Sequence, residues 1–161
     1  MAWKTELVQL VRNIIGDTDI DSPTYTDERL QEVILTSAQL LQGDVDFSQD
    51  YTVDIDQCTL TPDPTTTGSK DNDFINLVAL RTSCIISNSE FRTAANKAYN
   101  FTDGPSKIDG RDVAESTYKF AQTICQAFEN AKKAYRAGNS TAGAIIVSPY
   151  RVYDIGYTRR R

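Results

Sequence analysis

The sequence predicts a mainly α protein, a bundle of about four helices with a small β-hairpin and an extended C-terminal arm. Four segments with apolar residues at helical spacing account for most of the first 137 residues. A stretch near residues 51–61 instead alternates apolar and polar residues with a period of two. After residue 137 the helical pattern stops. We therefore divide the chain into a helical domain, 1–137, with the hairpin near 51–61, and a linker with an extended C-terminal arm, 138–161.

The first two helices are predicted from their apolar stripes and their end signals. The first covers about residues 3–15 and ends at Gly16, since glycine commonly terminates helices. The second covers about 26–43 with Thr26 as its N-cap, and two acidic residues follow in the first turn, where the helix dipole favours them. The residues of the two stripes are Leu7, Leu10, Val11, Ile14 and Ile15, and Leu30, Val33, Ile34, Ala38 and Leu41.

The connections to the later helices carry strand and turn signals. The period-two stretch at 51–61 predicts a hairpin, and the Pro- and Thr-rich segment 62–69 predicts a polar loop. A second extended stretch, 98–102, precedes a turn signal at 103–105. No partner strand is predicted for it.

The third and fourth helices are predicted over about 72–95 and 109–137. The third is apolar on nearly all sides, which indicates a central helix, and we expect Ile85 to be fully buried in it. The fourth is expected to have Asp109 as its N-cap and to end at Gly138. Its predicted buried stripe is Val113, Thr117, Phe120, Ala121, Ile124, Phe128, Ala131 and Tyr135.

The composition excludes several kinds of catalytic site. The 161 residues include no histidine, so Ser-His-Asp triads, Cys-His pairs and HExxH zinc helices are absent. Cys58, Cys84 and Cys125 are an odd number without a CxxC pair. We expect them to be buried free thiols in a reducing compartment, with neither a zinc site nor a disulfide. The sequence therefore predicts a protein with little catalytic equipment and no cofactor.

The charge and hydropathy patterns exclude other classes. Seventeen basic against 22 acidic residues give a net charge of −5, which argues against non-specific binding of nucleic acid by the single chain. There is no apolar run of about 18 residues and no signal-peptide pattern at the start. We expect a soluble intracellular product without a membrane partner.

A calcium site is the alternative that the acidic turn leaves open. Asp17, Asp19, Asp21 and Glu28 occupy positions one, three, five and twelve of a loop between two helices, which is the EF-hand spacing. Ser22, however, stands where that loop needs glycine for its sharp turn. The other interpretation is a polar turn that caps and solubilises the two helices without an ion.

The C-terminal arm predicts a docking strand. Disordered tails lack aromatic and β-branched residues, whereas this segment combines them with arginine. The alternative is that the arm folds back on its own bundle as an extra strand. The predicted partner-binding residues are Ile145, Ile146, Tyr150, Arg151, Val152, Tyr153, Ile155, Tyr157, Arg159, Arg160 and Arg161.

The order of these parts resembles the head–tail connector, or adaptor, proteins of tailed bacteriophages. Four short motifs carry the resemblance: IGDTD at 15–19, YTDERL at 25–30, the strand YTVDI at 51–55, and IDGRD at 108–112. They occur within the order short helix, acidic turn, helix, hairpin, long apolar helix, turn, long helix and arm.

The resemblance implies a structural protein of the virion neck that is not an enzyme and is made in the host cytoplasm. It implies a self-assembled ring of roughly twelve copies, with the arm reaching the portal protein and the hairpin and loops facing the next neck or tail protein or the channel. Double-stranded DNA would pass through an acidic channel without sequence-specific binding. The alternatives are a stopper or terminator, or, from a different class, a small intracellular helical calcium-binding module or enzyme built around residues 17–28.

Overall fold

The computed structural model describes residues 2–19, 21–66, 68–97, 100–103, 106–109 and 111–139. Within them the chain is mainly helical, which confirms the predicted fold class. None of the helices in these ranges has the length and hydropathy needed to cross a bilayer. In chain order the elements are α1 (Ala2–Ile15), α2 (Asp27–Asp44), β1 (Thr52–Asp54), β2 (Thr59–Thr61), α3 (Asn72–Lys97), β3 (Asn100–Asp103), β4 (Ser106–Asp109) and α4 (Arg111–Asn139).

Local sequence signals set the ends of α1 and α2. Gly16 has a φ of +80°, a left-handed conformation that glycine adopts without strain. The N–H of Asp17 then donates to the Arg12 carbonyl over 3.0 Å, which is the bond of a Schellman motif. Thr26 is the N-cap of α2, and its Oγ1 accepts from the N–H of Arg29 over 3.3 Å. Both predicted end signals are confirmed.

The predicted hairpin near 51–61 is confirmed as the antiparallel pair β1–β2. Val53 is paired with Leu60, and Leu60 is buried while the flanking threonines of β2 face outward. The hairpin packs over α2, where the Gln42 side chain donates to the Tyr51 carbonyl. The Tyr51 ring stacks on Phe74 with centroids 3.9 Å apart, so the hairpin is joined to the core through an aromatic pair.

Helix α3 is the centre of the bundle and contacts α1, α2 and α4. Most of its sides are buried, as the all-round apolar pattern predicts, and Phe74 and Val78 are fully so. Ile85 is an exception. It is half-buried and lines a small cavity of about 100 Å³ beside Tyr25 and Arg29, so the expectation of full burial is wrong. The buried position next to it is Ile86.

A second hairpin, β3–β4, joins α3 to α4 and was not predicted. Residues 100–103, which overlap the predicted extended stretch, pair with residues 106–109, with Phe101 opposite Ile108. Asp109 is thus the last residue of β4, opposite Asn100, and the prediction that it caps the fourth helix is wrong. The helix also continues one residue beyond Gly138, to Asn139, because glycine can occupy a helical position at a modest cost.

The predicted buried stripe of α4 is only partly correct. Ala121, Ile124 and Phe128 are buried, but Val113 is 62% exposed and Phe120 is 42% exposed. Helix α4 packs mainly along α3, and its first turns lie beyond the part that contributes to the core cluster. Helical spacing identifies a face of α4, whereas burial depends on whether another element lies against it.

The prediction for the cysteines is wrong for two of them. Cys84 in α3 and Cys125 in α4 form a disulfide with their Cα atoms 4.8 Å apart. Cys58, in the turn between β1 and β2, is free and half-buried. Two of the three cysteines are therefore paired, and they meet because α3 and α4 run antiparallel.

Candidate functional site

The candidate site lies where α1 ends and α2 begins, with Arg12 at its centre. The Arg12 guanidinium forms an ion pair with the Asp17 carboxylate through Nη1. Its Nη2 donates to the Tyr25 carbonyl over 2.7 Å and to Asp27 Oδ1 over 2.6 Å. One side chain of α1 is therefore bonded to the acidic turn, to the residue before the N-cap of α2 and to the first residue of α2. Three consecutive pieces of the chain are held together at this point.

Asp17 is the buried partner in this network. Its Oδ1 accepts from the N–H of Thr24 over 2.8 Å, and its Oδ2 accepts from the N–H of Tyr25 over 3.4 Å. Burial by itself raises the pKa of this carboxyl, but the two backbone N–H donors and the Arg12 charge together lower the pKa below its ordinary value. The carboxylate is thus held in its charged form, which suits a structural ion pair and not a group that exchanges protons near neutral pH.

An open groove of about 750 Å³ lies beside this network, between α1, the acidic turn and the first turn of α2. Its lining includes Lys4, Val8 and Gln9 of α1. Asp19 of the acidic turn and Glu28 of α2 also line it and are exposed. The groove is lined by more acidic than basic side chains. Its central charges are already compensated, so the arrangement fits contact with another surface better than acid–base chemistry.

The four residues with EF-hand spacing do not come together. Asp17 is turned to Arg12, and Asp19 Oδ1 accepts from the backbone N–H groups of Asp21 and Ser22 over 3.0 and 3.3 Å. Glu28 is exposed in the first turn of α2. Across the parts of the chain that the structure describes, no three acidic or cysteine side chains are grouped as ligands for a metal ion. The geometry favours the polar turn over the calcium site.

Replacing Asp19 by asparagine tests this interpretation. Asparagine keeps an oxygen that accepts the two N–H groups, so we expect the same melting temperature as the parent, with or without millimolar calcium. Asp19→Ala, which removes the acceptor, is expected to cost about 1 kcal/mol. Thermal unfolding followed by circular dichroism measures both variants. A calcium-dependent rise in the melting temperature of the parent contradicts the polar turn, because an ion that binds only the native state must stabilise it.

The predicted partner-binding residues of the C-terminal arm lie outside the described residues. They all fall within 140–161, and their prediction remains open. The structure does describe the end of α4 from which the arm leaves. There Arg136 donates to the Asp44 carbonyl, and the Tyr135 hydroxyl donates to the Asp46 carbonyl over 3.4 Å. The C-terminal end of α4 therefore lies beside the C-terminal end of α2.

Two features of the molecule escaped sequence reasoning. One is Arg12, which lies four residues before the helix-ending Gly16 and whose carbonyl accepts from the N–H of Asp17. The other is the Cys84–Cys125 pair. The two cysteines lie at equal distances along the chain from the ends of the β3–β4 turn, a symmetry that an antiparallel helical hairpin converts into contact.

Comparison with known proteins adds no family to these observations. The chain matches no family model, and no curated protein or solved structure matches it.

Proposed function

We propose that this protein is a structural component of a bacteriophage neck. In this proposal it is an adaptor that forms a ring of roughly twelve copies and joins the capsid portal to the tail or to the next neck protein. The ring surrounds the channel through which double-stranded DNA passes. The protein is then located in the virion and has no catalytic role of its own.

The observation that carries the proposal is the order of the elements along the chain. The order on which the resemblance rests is helix, acidic turn, helix, hairpin, long apolar helix, turn and long helix. The described residues have the same order in α1, α2, β1–β2, α3 and α4. The hairpin β3–β4 stands at the position of the predicted turn and adds to that order without breaking it.

Two further features support a subunit of an assembly. The outer end of α4 exposes three large apolar side chains, Val113, Tyr118 and Phe120, which are more favourably placed against a neighbour than in water. The acidic turn, the feature on which the calcium-binding alternative rested, is engaged in holding α1 to α2. The net charge of −5 fits a channel wall that repels phosphate, as it fits many other proteins.

The proposal is tested by mixing the purified full-length protein with the portal protein of the same virus. Negative-stain electron microscopy is expected to find a ring bound to one end of the portal. Sedimentation is expected to show the two proteins moving together in a fixed ratio. A protein that stays monomeric and sediments apart from the portal contradicts the proposed function.

Deletion of residues 140–161 tests which part of the chain contacts the portal. Among the described residues, Tyr135 and Arg136 already bond the end of α4 to the C-terminal end of α2 and the segment after it, so we expect the truncated protein to remain folded and helical. We expect it to lose stable attachment, since each copy in the ring loses its anchor. Circular dichroism and co-sedimentation with the portal measure the two properties.

Two full-length variants serve as matched controls for the deletion. Tyr153→Ala combined with Tyr157→Ala should reproduce most of the loss of binding, because interface tyrosines are frequent hot spots. Arg29→Ala combined with Glu32→Ala removes an exposed ion pair of α2 and should bind normally. Full binding by the truncated protein would place the docking surface on the bundle, and its unfolding would make the arm part of the core.

A further inference from the structure

The Cys84–Cys125 disulfide occupies a particular position in the helical hairpin. Cys84 lies on α3 and is 8% exposed, whereas Cys125 on α4 is half-buried. The bond closes a loop of the chain with a sequence separation of 41 residues that contains the whole β3–β4 hairpin. Cys125 is thus the more exposed residue of the pair, and we infer that a reagent in solution attacks it first.

A polar side chain faces the two sulfur atoms. Asn88 Nδ2 lies 3.1 Å from Cys125 Sγ and 3.5 Å from Cys84 Sγ, and it also donates to the Cys84 carbonyl over 3.1 Å. An amide donor stabilises a thiolate more than a neutral thiol, because it interacts with the full negative charge. The Asn88 side chain therefore favours breakage of the disulfide with one sulfur leaving as a thiolate.

The disulfide also separates two parts of α4 that make different contacts with the rest of the protein. On its C-terminal side, Phe128 is buried in the core and Lys132 pairs with Asp44 over 3.6 Å. On its N-terminal side, the Tyr118 ring packs on Phe91 of α3 with centroids 5.1 Å apart. Farther from the disulfide the large side chains are exposed, whereas the nearby Ala121 and Ile124 are buried. We call residues 111–124 the outer half of α4. The covalent bond is the strongest link between this half and α3.

We propose that Cys84 and Cys125 are a reversible redox site whose reduction releases the outer half of α4 from α3. The reductant is a low-molecular-weight thiol of the glutathione class. Its thiolate attacks Cys125 Sγ, the bond between the two protein sulfurs breaks, and Cys84 leaves as a thiolate that takes up a proton. A second thiol attacks the mixed disulfide and frees Cys125. Two small thiols become one small disulfide while one protein disulfide becomes two thiols, so atoms and electrons balance.

The inference does not depend on the proposed neck function. It concerns the free chain and predicts which part of it changes with redox state. In the oxidised form the outer half of α4 and its exposed apolar residues, such as Val113 and Phe120, are held in a fixed position. In the reduced form they are held only by non-covalent contacts with α3.

Hydrogen exchange measured by mass spectrometry on the full chain tests the proposal. A Cys58→Ser background removes the third thiol, which lies in the other hairpin and donates to Gln31 Oε1 over 3.6 Å. The protein is oxidised with glutathione disulfide or reduced with glutathione. We expect amides of residues 113–124 to exchange about tenfold faster in the reduced form. Peptides from 128–138 and from α1 should exchange equally in both forms.

Two variants sharpen the test. Cys84→Ser combined with Cys125→Ser should exchange like the reduced protein under both conditions. Asn88→Ala should slow the reduction by glutathione several-fold, because the leaving thiolate loses its donor. Three outcomes contradict the proposal. These are equal exchange of 113–124 in the two forms, an equal increase over the whole chain, and a disulfide that glutathione leaves intact in the folded protein.

Discussion

Replacement of Val78 by aspartate will prevent this protein from folding. Val78 is 0% exposed at the centre of α3, the helix that contacts the other three. A carboxylate at this position is removed from water, and the cost is upwards of about 4 kcal/mol. That cost is comparable with the whole free energy of unfolding of a typical domain. We expect insoluble protein, or a soluble form without helical circular dichroism.

Ile85→Asp is the matched control on the same helix. Ile85 is half-buried beside a small cavity that Arg29 also lines, so a carboxylate there can reach water and a cation. We expect a folded protein with a lower melting temperature. Equal damage by the two substitutions would contradict the assignment of the core, and an unchanged melting temperature for Val78→Asp would contradict it outright.

Replacement of Arg12 by methionine is expected to have the second largest effect, about 3 kcal/mol of lost stability. Methionine retains most of the apolar length of the side chain but leaves the Asp17 carboxylate, whose side chain is 5% exposed, without its cation. Asp17→Asn combined with Arg12→Met should cost less than the sum of the two single substitutions. Chemical denaturation of the four proteins measures the coupling. Arg29→Ala, which breaks an exposed pair with Glu32, should cost less than about 1 kcal/mol.

The same ion pair predicts how stability changes in acid. Burial raises the pKa of the Asp17 carboxyl, but the two backbone N–H donors and the Arg12 charge lower it below its ordinary value in the folded protein. As the pH falls, the unfolded chain therefore binds a proton at this group before the folded chain does. The contribution of Asp17 is fully present above about pH 4 and is lost as the pH falls through the folded pKa. Asp17→Asn should remove this part of the acid dependence, and an unchanged acid profile would contradict the assignment.

The elements that the sequence predicted well depend on neighbouring residues along the chain. Gly16 ends α1 because its own backbone adopts a positive φ, and Thr26 caps α2 because its side chain reaches the N–H three residues on. The hairpin β1–β2 follows from a period of two over a few residues. Each of these signals involves residues only a few positions apart, so it can be recognised in the sequence.

The elements that were predicted wrongly depend on what lies across the fold. Residues 106–109 show no strand pattern of their own and become β4 through pairing with β3. Because this strand was not predicted, its last residue, Asp109, was interpreted as the N-cap of the fourth helix. Cys84 and Cys125 show no relation in the sequence, and only the antiparallel packing of α3 and α4 brings them together. In the candidate site, the EF-hand spacing was visible in the sequence, but the direction of each carboxylate was not.

The sequence alone thus determined the number and class of the helices described, the end of α1 at Gly16, the cap of α2 at Thr26, the first hairpin and the central place of α3. Periodicity and capping are properties of a single segment, and a segment contains all the information that they need. The tertiary structure alone decided that Ile85 and Phe120 meet solvent, that Asp17 pairs with Arg12 and that two cysteines join α3 to α4. Burial, ion pairing and disulfide contact belong to pairs of segments, and they exist only when both segments have been placed.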